Sequence, residues 1–423
     1  MTSMTDTALV KHFTDVRERT LKLIQPLETE DFIIQSHPDV SPPKWHIAHT
    51  TWFFERMILK EFKADYEEFN PVFDFLFNSY YNTIGPYQPR HQRGVLSRPT
   101  VEEVISYRAS VNEHVLRLLS ESREPEIQQE IEQLVNLGLQ HEQQHQELIL
   151  MDVKYNFFVN PLFPTYTKRE ELPAVGRKES NFIPFEGGLV EIGHNGEGFS
   201  FDNERPRHKV WLEPFKLAAK PVTNGEYLAF IEDGGYEKSE YWLSDGWNVV
   251  KDNGWKAPLY WMKDEQGNWN IFTLSGIQEL HTEEPVSHVS FYEADAFSRW
   301  KGKRLPTEAE WEYASQGIAI QGNTMEKEVY HPMPAEGDAQ APLLKMFGDV
   351  WEWTASAYSP YPRSKPLEGA LGEYNAKFMS NQMVLRGGSC ATPASHIRET
   401  YRNFFPPDKR WQFGGFRLAE DRE

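Results

Sequence analysis

Residues 134–148 read LVNLGLQHEQQHQEL and carry two histidines, His141 and His145, four positions apart. Positions four apart lie one above the other on a helix, so both imidazoles can face one object. The surrounding sequence repeats at alternating steps of mainly four and three, the pattern of a core-facing helix seam. The seam residues are Ile127, Ile131, Leu134, Gly138, His141, His145, Leu148, Asp152 and Tyr155. Two histidines in places where a bundle would have leucines need a reason, because buried polar groups need partners.

A second predicted helix contributes two more histidines. The sequence SPP at 41–43 predicts its start, with Ser41 as the cap and proline where a missing N–H costs nothing. His49 is predicted on the apolar face, because its positions i−4, i+3 and i+4 are Trp45, Trp52 and Phe53. His46 shares part of that face, and we expect it to support or pack against the site and not to bind.

The first part of the chain is predicted to be a four-helix bundle. Amphipathic segments cover residues 6–27 and start again near residues 43, 100 and 125, with one long connection between the second and third. That connection, residues 65–99, is rich in aromatic residues, which favours an ordered loop. It carries four candidate site residues: Tyr80, Tyr81, Arg90 and Arg93. The tyrosines could simply pack and the arginines could be solvated, or they could serve as proton donors and as a carboxylate clamp.

The pattern changes after residue 159. Residues 160–181 are rich in proline and charge and are interpreted as a linker. From residue 182 to 423, short segments separated by Gly, Pro, Asn and Trp replace the long helical periods, with helices predicted only near 291–301 and 307–314. The prediction is therefore a bundle over 1–159, a linker, and a mixed α+β domain over 182–423 with much irregular structure.

Composition narrows the class of protein. The net charge of −19 argues against nucleic acid or an anionic membrane as the main partner. Cys390 is the only cysteine, which excludes an internal disulfide and fits a reducing compartment. The N-terminus shows no signal peptide pattern, and no apolar run reaches the roughly 20 residues of a membrane span. A cytoplasmic location is expected, and the oligomeric state stays open.

The histidines suggest a metal site. Three inward imidazoles, His49, His141 and His145, would hold a metal from one side and leave the other side open, as catalytic sites do. Imidazole suits Fe, Zn, Cu and Ni, so the ligand type does not name the metal. The plain alternative is an exposed polar helix, because HxxxH is common on helix surfaces; the seam position favours the metal.

Both halves of the chain resemble a known family. The motifs WHIAHTTWFFE and HEQQHQE resemble the DinB-type domain of sulfoxide synthases. The second half resembles the fold of formylglycine-generating enzymes, through KPVTNGEYLAFI, PVSHVSFYEADAFSRWKGKRLPTEAEWEYA, FGDVWEWT, VLRGGSC and GGFRLA. This domain order is similar to that of the iron(II) sulfoxide synthases of ergothioneine biosynthesis, within the subgroup that has a tyrosine pair. The copper-binding cysteine pair of true formylglycine-generating enzymes is missing here.

The resemblance implies an oxidoreductase that is a hercynine oxygenase. Such an enzyme joins the sulfur of cysteine, or of γ-glutamylcysteine, to the imidazole C2 of N-α-trimethylhistidine (hercynine), using O2 and Fe(II). By motif, the iron ligands are His49, His141 and His145, and Gln144 lines the trimethylhistidine pocket. Tyr80 and Tyr81 match the catalytic tyrosine pair. Arg90 and Arg93 are candidates for the sulfur donor's carboxylate, and Phe404 and Phe405 for the trimethylammonium group by cation–π attraction.

One departure concerns the sulfur donor. Family members that use γ-glutamylcysteine carry an aspartate soon after the YRN motif, where this chain has Phe404 and Phe405. This difference favours free cysteine. Three alternatives stay open: an ovothiol-type synthase acting on histidine, a DinB-like zinc thiol transferase, and a non-catalytic binding module.

Overall fold

The computed structural model describes residues 6–168, 181–335 and 342–422. Its described residues form two compact units. The first comprises residues up to Tyr166 together with Gly196–Phe199 and Leu367–Tyr374, and the second comprises the remainder. Most of the predicted linker, residues 169–180, lies outside the described residues. The sequence analysis had assigned 196–199 and 367–374 to the second domain, so the first unit draws on sequence far from the bundle.

The first unit is built on four long helices, as predicted. These are α1 (Asp6–Ile24), α2 (Pro43–Phe54), α5 (Val101–Ser120) and α6 (Pro125–Val159), and two short helices, α3 (Lys60–Phe62) and α4 (Phe73–Phe77), lie in the long connection. Helix α2 packs against α5 and α6, and α1 packs against α6. A β-carbon on Gly138 would lie 2.8 Å from the Phe54 ring, so this glycine permits the close approach of α6 to the end of α2.

Local sequence explains the starts of α5 and α6. Thr100 and Glu103 form the expected capping box at the start of α5, and Pro125 opens α6. The prediction for Ser41 was wrong, because Pro42 occupies the N-cap position of α2 and no side chain caps it. Ser41 instead accepts a hydrogen bond from Arg93 through its hydroxyl and donates its backbone N–H to Asp152. A tertiary contact therefore replaced the local cap.

The long connection after α2 is ordered and is held on α2 by polar contacts. Glu55, buried in a π-helical turn that continues α2, accepts hydrogen bonds from the Tyr66 hydroxyl and the Phe69 backbone. The Trp52 indole donates to Asp74 at 2.8 Å, and the Trp45 indole donates to the backbone carbonyl of the loop residue Leu76 at 3.1 Å. These buried polar groups thus find partners in the connection, which fixes it against α2.

The second unit is a mixed α+β structure with short strands, as predicted. Its helices are α7 (Asn224–Glu232) and α8 (Ser244–Asn253), which the sequence did not predict, and α9 (Phe291–Trp300) and α10 (Glu308–Ser315), which it did. Its strands are β1 (Phe182–Phe185), β2 (Gly188–Ile192), β3 (His208–Leu212), β4 (Phe215–Ala218), β5 (Trp261–Lys263), β6 (Trp269–Thr273), β7 (Gly276–Glu279), β8 (Trp351–Ala357), β9 (Met383–Arg386), β10 (Asn403–Phe405), β11 (Gly414–Gly415) and β12 (Ala419–Asp421). They form four small sheets, ordered β1-β4-β12, β10-β9-β8-β11, β2-β3 and β5-β6-β7.

Buried ion pairs hold the centre of the second unit. Arg417 contacts both oxygens of Glu352 on β8, and both side chains are fully buried. Trp311 of α10 donates its indole N–H to the same carboxylate at 2.7 Å. Cys390 is buried and forms no disulfide. Among the described residues of the chain, no helix is both long and apolar enough to cross a membrane.

Candidate metal site

Three histidines meet in the core of the first unit. His49 comes from α2, and His141 and His145 come from α6; one ring nitrogen of each lies within 4.8 Å of the other two. All three are buried. The HxxxH spacing aligns two rings on α6, and the packing of α2 against α6 brings the third ring to them. The arrangement matches the predicted ligand set.

Burial keeps the imidazoles neutral. It lowers the pKa of His141 to about 3, and it lowers the pKa values of His49 and His145 well below their ordinary value. A neutral imidazole has a free lone pair, which is the form that binds metal. At neutral pH the three rings can therefore act as ligands without first losing a proton.

Hydrogen bonds leave at least one nitrogen available on each ring. The Nδ1 of His49 lies 2.6 Å from the carbonyl oxygen of Phe77, which must accept, so Nε2 carries the lone pair. The Nδ1 of His145 lies 2.8 Å from the Nδ1 of His46, which leaves its Nε2. Neither nitrogen of His141 has a hydrogen-bond partner in the described structure. Because unsatisfied buried polar atoms are rare, this ring fits a metal ligand well.

His46 occupies the supporting place expected from the sequence. Its Nδ1 faces His145, and its Nε2 lies 3.0 Å from an oxygen of Asp152, a residue two turns further along α6. Trp45 packs beside these rings and stacks on His49 at 4.5 Å between centroids. The guanidinium of Arg93 lies over the Trp45 ring, 3.3 Å from its centroid.

The tyrosine pair lies in the loop that follows α4. Tyr80 and Tyr81 stack on each other at 4.7 Å, and Tyr81 also contacts Trp52 at 5.6 Å. Tyr81 is fully buried. Burial raises the pKa of Tyr80 to about 12 and raises the pKa of Tyr81 well above its ordinary value, so both phenols keep their protons at neutral pH.

A third tyrosine was missed by the sequence analysis. Tyr374, in the segment of residues 367–374 that joins the first unit, donates a hydrogen bond to Gln144, and its ring lies 5.6 Å from that of His141. Its neighbour Glu373 accepts bonds from the backbone N–H groups of Asn82 and Thr83, at 3.1 and 2.8 Å, just after the tyrosine pair. No local motif marks this tyrosine, because 230 positions separate it from Gln144.

The two arginine candidates have different surroundings. Arg93 is buried and donates to the hydroxyls of Ser41 and Ser79, both at 2.9 Å. Arg90 is exposed in the short 3-10 helix Arg90–Val95. The structure therefore brings Arg93 beside Trp45 with two protein partners already in place, and leaves Arg90 at the surface of the same loop.

The aromatic candidates belong to the second unit. Phe404, on β10, stacks on Tyr358 at 4.1 Å with an angle of 9° between the rings. Phe405 meets Trp411 edge-on at 5.5 Å. Both phenylalanines are partly exposed within their unit. Their part in binding a trimethylammonium group stays a prediction.

Comparison with known families accounts for both halves of the chain. Residues 12–149 match the DinB superfamily, and residues 168–336 and 319–422 match the sulfatase-modifying factor enzyme 1-like domain. A formylglycine-generating enzyme of Streptomyces coelicolor is 30% identical over 272 residues, which cover 53% of this chain and 84% of that protein. The fold and the histidine cluster thus define a DinB-type bundle with a candidate metal site, fused to a formylglycine-type domain.

Two relatives match this chain over nearly its whole length. A hercynine oxygenase of Mycolicibacterium smegmatis is 32% identical over 437 residues, covering 96% of each chain. The hercynine oxygenase of Mycobacterium tuberculosis is 30% identical over 438 residues, covering 98% of each. The chain belongs to the hercynine oxygenase family and is an oxygenase enzyme. The resemblance to the ergothioneine sulfoxide synthases is confirmed, and the zinc transferase and non-catalytic interpretations lose their support.

Proposed function

We propose that this enzyme is an iron(II)-dependent sulfoxide synthase that joins the sulfur of cysteine to the imidazole C2 of N-α-trimethylhistidine. The observation that carries the proposal is the cluster of three neutral, buried histidines with at least one available nitrogen on each ring. Bound iron would supply the open coordination side at which thiolate, imidazole and dioxygen meet. Family membership supports hercynine as the substrate, by analogy with the names of the relatives.

The proposed reaction balances without another oxidant. One O2 accepts four electrons: two from formation of the C–S bond and two from oxidation of sulfur to the sulfoxide. One oxygen atom enters the sulfoxide. The other leaves as water with the C2 proton of the imidazole and the thiol proton.

Protonated tyrosines fit the transfer of a proton to the reduced oxygen. Tyr80 and Tyr81 were proposed for this role from the sequence, and both phenols keep their protons at neutral pH, as a proton donor requires. Tyr374 joins them as a candidate because its hydroxyl bonds Gln144 and its ring packs against His141. Gln144, held by this contact, would orient the trimethylhistidine ring.

The remaining substrate contacts are proposed from the family pattern. Arg90 or Arg93 would bind the carboxylate of the sulfur donor, and Phe404 and Phe405 would meet the trimethylammonium group. The contacts of Arg93 with two serines suit an arginine fixed in place beside Trp45. A cytoplasmic location remains part of the proposal.

One experiment tests the activity. The protein is purified without oxygen, loaded with Fe(II), and given trimethylhistidine, cysteine and ¹⁸O2, and the products are analysed by mass spectrometry. We expect a sulfoxide with one ¹⁸O atom and no product with Zn(II). Histidine replaces trimethylhistidine, and γ-glutamylcysteine replaces cysteine, in parallel reactions. Turnover of histidine alone would favour ovothiol chemistry, and failure of every thiol to consume O2 would refute the synthase.

A further inference from the structure

A buried carboxylate reaches the proposed metal ligand His145 through a second imidazole. Asp152 is 2% exposed and lies seven positions after His145 on α6. One of its oxygens accepts the backbone N–H of Ser41 at 2.7 Å and lies 3.0 Å from the Nε2 of His46. The Nδ1 of His46 lies 2.8 Å from the Nδ1 of His145. The three side chains form one continuous hydrogen-bonded chain.

The carboxylate sets the direction of both hydrogen bonds. An ionised carboxylate only accepts, so the Nε2 of His46 must carry the proton in that contact. A neutral His46 then has its lone pair on Nδ1, which can only accept from His145. The Nδ1 of His145 is therefore protonated, and its Nε2 keeps the lone pair that a metal requires.

The other two ligands lack such a chain. A main-chain carbonyl holds His49, and His141 has no hydrogen bond to either nitrogen in the described structure. Carboxylates that act on a metal-bound histidine commonly fix its tautomer and make it a stronger donor. In this chain the effect would pass through His46, so His145 would be the ligand whose orientation is set most firmly.

We propose that Asp152 and His46 are positioning residues that hold His145 in its metal-binding tautomer. This inference rests on the proposed metal site. His46 has no proposed contact with substrate. The positioning role gives a reason for its place on the apolar face of α2. It also explains why the helix seam continues from His145 to a carboxylate where an apolar residue would otherwise pack.

Asp152→Asn is the most informative substitution. It keeps the shape of the side chain, and the Ser41 N–H favours the amide oxygen at the shared position, so the amide still accepts from the Nε2 of His46 but without the negative charge of the carboxylate. The Nε2–H tautomer of His46 is then favoured less, and a larger share of His145 carries its proton on Nε2, where it blocks the metal. We expect the affinity for Co(II), measured by competition with a chelator, to fall about 10- to 100-fold, as it does on losing comparable supporting partners. His46→Phe should give a similar loss.

A matched control lies one turn further along α6. Asn156 is buried and bonds Ser36 and the carbonyl of Ile34, away from the histidines. Asn156→Ala should lower stability without changing Co(II) affinity. Loss of affinity in this control equal to that of Asp152→Asn would show a general effect of destabilisation and would overturn the inference.

The tautomers give a readout that packing alone would not change. In protein labelled with ¹⁵N-histidine, nitrogen chemical shifts should show Nε2–H on His46 and Nδ1–H on His145, with a smaller share of both tautomers in Asp152→Asn. The opposite tautomer of His46 in the unsubstituted protein would refute the chain. His141→Ala separates the two proposals: if it leaves Co(II) affinity unchanged, the metal site itself fails, whereas normal affinity in Asp152→Asn alone refutes only the positioning role.

Discussion

His141 and Glu142 are neighbours on α6, and both are buried, yet their surroundings are opposite. Neither nitrogen of His141 has a hydrogen-bond partner in the described structure. Glu142 accepts from Arg17 at 2.7 Å, from Thr20 at 2.6 Å and from Arg108. Burial by itself would raise the pKa of Glu142, but Arg108 and Arg17 outweigh it and lower that pKa to about 2.

The contrast suggests that Glu142 and His141, adjacent on one helix, have different roles: one stabilises the bundle and the other binds metal. A buried charge that is fully paired ties helices together, and here it joins α6 to α1 and α5. A buried polar group without a partner lowers stability unless a ligand satisfies it. The face of α6 that carries Glu142 is therefore expected to hold the bundle, and the face that carries His141 to bind the metal.

The largest expected effect is on activity. His141→Ala should abolish sulfoxide formation and Co(II) binding, because it removes a ligand. The free energy of unfolding of the metal-free protein should change by no more than about 1 kcal/mol, since relief of an unsatisfied polar ring offsets lost packing. Product analysis and urea denaturation check the two parts. A severe loss of metal-free stability would show that His141 is a structural residue.

Glu142→Gln should have the converse effect. It leaves the guanidiniums of Arg17 and Arg108 buried without their counter-charge, and breaking such a pair costs about 3–5 kcal/mol. Urea denaturation followed by circular dichroism measures the loss. The exposed Glu130→Gln on the same helix is the control and should change little. If the folded fraction of Glu142→Gln bound metal poorly, the separation of the two faces would be wrong.

The pairing of Glu142 also predicts a pH dependence. Its folded pKa of about 2 lies below the ordinary value near 4.5, so its contribution to stability is complete above the ordinary value. That contribution should disappear as the pH falls from about 4.5 towards 2. Unfolding free energies measured across this range should fall more steeply in the unsubstituted protein than in Glu142→Gln. Parallel curves would contradict the assigned pairing.

Tyr81 extends the comparison to a second polar side chain that is fully buried. If it donates a proton during turnover, Tyr81→Phe should slow sulfoxide formation about 100-fold, at the lower end of general-acid effects, and increase cysteine sulfinate. The same assay on Tyr80→Phe and Tyr374→Phe, compared with Tyr81→Phe, identifies which phenol donates the proton. Tyr87→Phe in the same loop serves as the control. An unchanged ratio of sulfoxide to sulfinate in all three variants would remove the tyrosine role.

The smallest expected effect comes from one hydrogen bond to Glu142. Thr20→Val keeps the shape of the side chain but removes the hydroxyl that donates at 2.6 Å. A hydrogen bond to a charged group contributes about 1.5–3 kcal/mol, so the loss should be less than that of Glu142→Gln. Urea denaturation measures it, and Co(II) titration should show unchanged affinity. A change in affinity would mean that the two faces of α6 are coupled.

Local sequence determined the helices and two of the ligands. The spacing of His141 and His145 sets their common direction on any helix, and the aromatic neighbours of His49 place it on a buried face. The capping box at Thr100 and the proline at the start of α6 acted as expected, because capping depends on residues within one turn. The fold of the second domain was predicted from family motifs, each of which is a short local segment of sequence.

Tertiary structure alone decided which partner each polar group finds. Ser41 bonds Asp152 and Arg93 instead of capping α2, and His46 bonds His145 and Asp152. Tyr374 meets Gln144 across 230 positions of sequence. Sequence periodicity reports the face on which a side chain lies, but a hydrogen bond depends on distances of about 3 Å between separate elements, and those are fixed only when the helices and loops pack together.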